Sequence, residues 1–73
     1  MIKEDIIFRL KIERNELMDK LNKLEYLKYN KTDEYLKLGG MMCQLLDTQQ
    51  MIMKSYIEIL TARIILLECD SNE

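Results

Sequence analysis

Histidine and proline are absent from these 73 residues, glycine occurs only as the pair Gly39-Gly40, and there are just two cysteines. Each shortage excludes something. Without histidine there is no base to activate Cys43 as a nucleophile, so a small apolar filler is the reading for that thiol. Cys43 and Cys69 fall in no ligand spacing such as C-x-x-C, which leaves no metal centre. No glycine-rich phosphate loop is present, and the carboxylates are scattered over solvated faces. The expectation is a chain that is not an enzyme and uses no cofactor. No apolar run approaches the ~20 residues that span a bilayer. No signal peptide with a small-residue cleavage site is seen, which points to reduced thiols in a cytosolic protein. The net charge of −2, with 33% charged residues, argues against DNA or RNA as a partner, because displacing counterions needs a basic excess.

The lack of proline and glycine also says what is present. Little punctuation over this length means long helices. We expect an all-α fold and a single helical-hairpin domain over residues 1–73. Two long antiparallel helices, about 4–28 and 41–68, are joined by a short helical turn, and residues 69–73 form a frayed acidic tail. In the first helix Leu10, Leu17, Leu21 and Leu24 recur at three and four, with Ile6, Ile7 and Leu27 widening the stripe. Asp5 is the expected cap. In the connection, Asn30 and Thr32 are expected N-caps, with Asp33 and Glu34 suited to a first turn. A helical turn at 33–38 should pack Tyr35 and Leu38 inward, and Gly39-Gly40 should break it.

The last helix carries more apolar surface than one partner helix can cover. One stripe is Met42, Leu45, Ile52, Ile59 and Leu66; a second is Leu46, Met53, Ile57, Leu60, Ile64 and Leu67. Chains this short struggle to bury enough surface alone, and neither disulfide nor metal is on offer. The expectation is a homo-oligomeric helical bundle in which the second helix packs on copies of itself. Tyr56 and Arg63 sit seven apart on the first stripe, so both are expected on a buried or half-buried face where a polar tip must find a partner. Two readings stand: contacts across a subunit interface, or a pocket between subunits completed by an anion or an aromatic ligand.

The connection gathers Lys28, Tyr29, Lys31 and Thr32, with Tyr26 one turn back. Ammonium groups, a hydroxyl and free amides at a helix start suit phosphate, and a tyrosine face can stack a base. A solvated lysine-rich turn is the plainer reading of the same residues.

The run Glu16 to Leu24, then Tyr35, Leu38 with Leu45-Leu46, and finally Gln49, Met53, Tyr56, Ile59-Leu60 and Arg63-Ile64 resembles a family of very small bacteriophage proteins related to the uncharacterised helical-hairpin proteins of crAss-like phages. The resemblance covers about residues 10–67. Where that family places Ser and acidic residues after Leu38, this chain has Gly39, Gly40 and Met41. In size and layout these proteins look like the viral sponges that block CBASS immunity. Those assemble, typically as hexamers, and sequester cyclic di- and trinucleotides in the host cytoplasm. The resemblance implies a base stacked on Tyr26 or Tyr29, phosphate held by Lys28 or Lys31 with Thr32, and Arg63 reaching a second pocket at a symmetry axis. Other functions stay open. A helical adaptor for a host protein fits the wide apolar face equally. CQLLD, residues 43–47, looks like the S-Q-E-L-D motif of small phosphorelay phosphatases, but Leu45 replaces the acid. A nucleic-acid mimic directed at a CRISPR nuclease would need more negative charge.

Overall fold

The computed structural model of the protein describes residues 2–70. Three helices follow one another: α1 (Ile2–Asn30), α2 (Thr32–Leu36) and α3 (Gly40–Asp70). α1 and α3 lie side by side and antiparallel, so that Lys11 reaches Glu68 near one end and Lys28 reaches Asp47 near the other. The molecule is a rod of 53 × 15 × 15 Å. No helix among the described residues is long and apolar enough to cross a membrane.

Both long helices overrun the expected bounds by one or two residues at each end. Asp5 is therefore not a cap. It lies inside the first turn of α1 with Glu4, where a carboxylate faces the positive end of the helix. α3 runs through Asp70, so residues 69 and 70, expected in the tail, are helical; residues 71–73 of that tail lie outside the described residues.

The connection is tighter than expected. Asn30 closes α1, Lys31 is the cap position of α2, and no side-chain bond caps that helix. Thr32 turns the other way: its hydroxyl donates to the carbonyl of Lys28 at 3.0 Å and so serves the end of α1. Tyr35 packs inward as expected, but Leu38 is 48% exposed, because α2 ends at Leu36 and the chain turns away. Gly39 makes the turn possible with φ of +98°, and its carbonyl accepts from the Cys43 N–H to start α3. Open space surrounds the position where a Cβ would sit, so the backbone angle and not crowding selects glycine there.

The second α3 stripe faces α1. Leu60 and Ile64 pack with Leu10 into a small core, flanked by Ile7, Leu17 and Leu67. Met53 and Leu21 are buried nearer the connection. The first stripe is left exposed: Met42, Leu45, Ile52, Ile59 and Leu66 all face outward in the single chain. One partner helix indeed covers one stripe and not both.

Candidate functional site

Two places draw polar side chains together. The first is the connection end of the hairpin. Gln50 is buried between the helices, where it accepts from Lys28 Nζ at 3.0 Å and donates to Glu25 Oε2 at 3.1 Å. Lys28 also pairs with Asp47 at 2.8 Å, and Lys54 reaches Glu25 at 3.4 Å. Tyr35 completes the cluster. Its hydroxyl donates to Asp47 Oδ1 at 2.6 Å and lies 3.0 Å from the carbonyl of Cys43, while the Cys43 thiol donates back to the carbonyl of Tyr35. The ionisation equilibria follow from these bonds. The hydrogen bonds from Lys28 and Tyr35 hold the Asp47 carboxyl below its ordinary range. The bond to Asp47, with burial added, pushes the Tyr35 phenol well above its ordinary value, and the same carboxylate raises Lys28.

Lys28 is thus not a spare cation waiting for phosphate, as the sequence suggests. It faces inward, bound to Asp47 and Gln50, and its ammonium sits 5.6 Å from the centre of the Tyr29 ring. Outside it, Tyr26 and Tyr29 expose their rings three residues apart on α1, and Lys31 and Thr32 are exposed beyond them. Residues 30–34 line an open notch at this end, so Lys31 and Thr32 share it with Asp33 and Glu34. A phosphate there would meet two carboxylates as well as a lysine.

The second place lies on the exposed stripe of α3. Tyr56 was expected to find its partner in another subunit, yet its hydroxyl donates to the Glu13 carboxylate of its own α1. That bond raises the phenol above its ordinary value, against the opposing charge of Arg63. Arg63 is exposed in the single chain. The structure therefore does not join all the expected site residues. Glu13 and Lys28 are fifteen residues apart on α1, or about 22 Å, so Tyr56 and Arg63 stand far from the tyrosines of the connection. Among the described residues no group of acids and cysteines is arranged to hold a metal ion.

Sequence reasoning passed over Glu13, Glu25, Asp47 and Gln50. One of them carried a signal. Gln50 fills the gap at three and four between Leu46 and Met53, so it belongs to the buried stripe. A glutamine in that row must find hydrogen-bond partners across the helix pair.

A family model matches residues 4–66, and its description is Sequestin. The chain belongs to the Sequestin family. The match takes in both long helices almost entire, together with the connection and its tyrosines and lysines. No curated protein and no solved structure matches the chain. The family's name describes a sequestering role, which implies a bound partner.

Proposed function

We propose that this protein sequesters a cyclic oligonucleotide or related nucleotide signal, without catalysis, as a phage-encoded block to a CBASS-type defence in the host cytoplasm, and that it does so as a homo-oligomer. The observation that carries the proposal is the Sequestin match over residues 4–66. The connection end supplies a compatible chemistry. Tyr26 and Tyr29 offer flat faces for bases, each stack being worth about 1–3 kcal/mol. Lys31 and Thr32 offer a cation and a hydroxyl at the neighbouring turn, while the Lys28 ammonium beneath Tyr29 is committed to Asp47 and Gln50. Asp33 and Glu34 would repel a lone phosphate and so favour a ligand that also stacks. A sponge needs tight binding and slow release, with no reaction step.

The test is calorimetric titration with a panel of cyclic di- and trinucleotides and cyclic ADP-ribose isomers, followed by chromatography of the ligand recovered after denaturing the protein. We expect sub-micromolar binding of at least one member and its recovery unchanged. Tyr29→Ala and Lys31→Ala should each weaken it about tenfold or more, the loss of ~1.4 kcal/mol. A chain that binds none of the panel would overturn the proposal in favour of a helical adaptor for a host protein. Recovery of a cleaved ligand would overturn the absence of catalysis.

A further inference from the structure

The exposed stripe of α3 follows a strict heptad from residue 42 to residue 66. Leu45, Ile52, Ile59 and Leu66 occupy one position of the repeat. Met42, Gln49, Tyr56 and Arg63 occupy the other, at alternating intervals of three and four. Such a row, ~36 Å long, is the seam of a coiled coil, and it lies uncovered in the single chain. The surface has the shape that a coiled coil needs. A shallow depression midway along it is lined by Ile52, Ser55, Tyr56 and Ile59, together with Met51. The first four stand at i, i+3, i+4 and i+7, which is the four-residue hole that receives one side chain of a facing helix. Ser55 keeps it open, and the bond from Tyr56 to Glu13 holds the phenol ring at its rim.

Area and charge identify the occupant. A folded monomer of this mass exposes about 4,800 Å², whereas this chain exposes 5814 Å². The excess, about 1,000 Å², is what one partner contributes to a standard interface, ~800 Å². Arg63 then sets the direction. A parallel pair would stack Arg63 on Arg63 and Tyr56 on Tyr56 within the seam. An antiparallel pair places each of them opposite an aliphatic residue and separates the two guanidinium groups by eighteen residues of helix, ~27 Å.

We propose that this seam pairs antiparallel with the same seam of a second copy of the chain, about a two-fold axis at the level of residue 54, with the partner's Ile52 seated in the hole formed by Ile52, Ser55, Tyr56 and Ile59. The register brings all eight seam positions into contact: Met42 meets the partner's Leu66, Leu45 its Arg63, Gln49 its Ile59 and Ile52 its Tyr56. The pairing gives the oligomer of the proposed function a definite surface and direction, but it stands on the α3 seam alone and needs no nucleotide.

Light scattering and pulsed dipolar spectroscopy on the nucleotide-free protein test it together. The chain should have a mass of two copies, or an even multiple. Ile52→Lys should halve that mass while helicity by circular dichroism is unchanged, because Ile52 is 62% exposed in the single chain. The exposed Cys69 takes a spin label, with Cys43→Ala removing the other thiol. Antiparallel pairing puts the two labels ~45 Å apart along the axis, thirty residues of rise. A monomer at tens of micromolar, or an oligomer whose mass Ile52→Lys leaves intact, would overturn the seam. A distance under ~20 Å would overturn the antiparallel direction. Loss of nucleotide binding alone would count against the proposed function and not against this pairing.

Discussion

Leu60 and Ile59 are neighbours in sequence and sit on adjacent seams of α3. Leu60 is fully enclosed by α1, at 0% exposure, while Ile59 is 55% exposed. The two seams share the same spacing and are both mostly apolar, so periodicity alone does not say which one folds the monomer. The difference lies in what faces each seam across the connection. The Leu60 seam includes Gln50, and α1 answers it with Lys28 and Glu25 in hydrogen-bond reach. The Ile59 seam includes Gln49, Tyr56 and Arg63, and of these α1 reaches Tyr56 from the side, through Glu13. Apolar contacts hold two helices together without specifying their register, since a slip along the heptad replaces one leucine with another. The polar cluster removes that freedom. Only one register brings Lys28 to Asp47, Gln50 to Glu25 and Tyr35 to Asp47 at once.

The most direct way to break the contrast is to truncate the enclosed side chain. Leu60→Ala should lower stability by about 2–5 kcal/mol, read from urea unfolding followed by circular dichroism. Next comes the polar end. Hydrogen bonds hold the Asp47 carboxyl below its ordinary range, so its contribution is present above the ordinary value of about 4 and is lost as pH falls through the lower folded value. Melting temperature should therefore drop as the wild-type protein is acidified below about pH 4. Asp47→Asn should begin with a lower melting temperature at neutral pH and show a flatter acid limb. An identical acid limb in both proteins would remove Asp47 from the explanation. The smallest effect is expected at Ile59→Ala, placed in the Ile52→Lys background so that no second copy intervenes. It should stay within about 0.5 kcal/mol of its parent, as exposed substitutions do. A cost comparable to that of Leu60→Ala would mean that the two seams are not distinct in the monomer.

Much of the fold was legible. The intervals of three and four, the absence of proline and the single glycine pair together imply a hairpin of two long helices with a break at Gly39, and two stripes too wide for one partner. Helix ends were less so. Asp5 and Asn30 have the chemistry of caps, but cap chemistry permits a boundary without requiring one, and both residues lie within α1. Leu38 was assigned inward on the same periodicity that placed Tyr35, and the turn at Gly39 carries it out. The site was harder to read because it depends on pairing between helices. Lys28 looks like any solvated lysine until α3 is docked in the one register that sets Asp47 beside it. Tyr56 was rightly seen to need a partner, and the partner is Glu13, forty-three residues earlier, which no local spacing indicates. Tyr26, Tyr29, Lys31 and Thr32 do share the connection end, whereas Arg63 stands apart from them on the seam.

The rod shape has a hydrodynamic consequence. The radius of gyration is 16.2 Å, against about 11 Å for a compact chain of this length. A body 53 Å long and 15 Å wide meets more friction than a sphere of equal mass and tumbles faster about its long axis than end over end. On a gel-filtration column calibrated with globular standards, even the lone hairpin will elute as though it were a heavier protein. Nuclear relaxation rates along α1 and α3, whose amide bonds point down the rod, will report the slower of its two rotations.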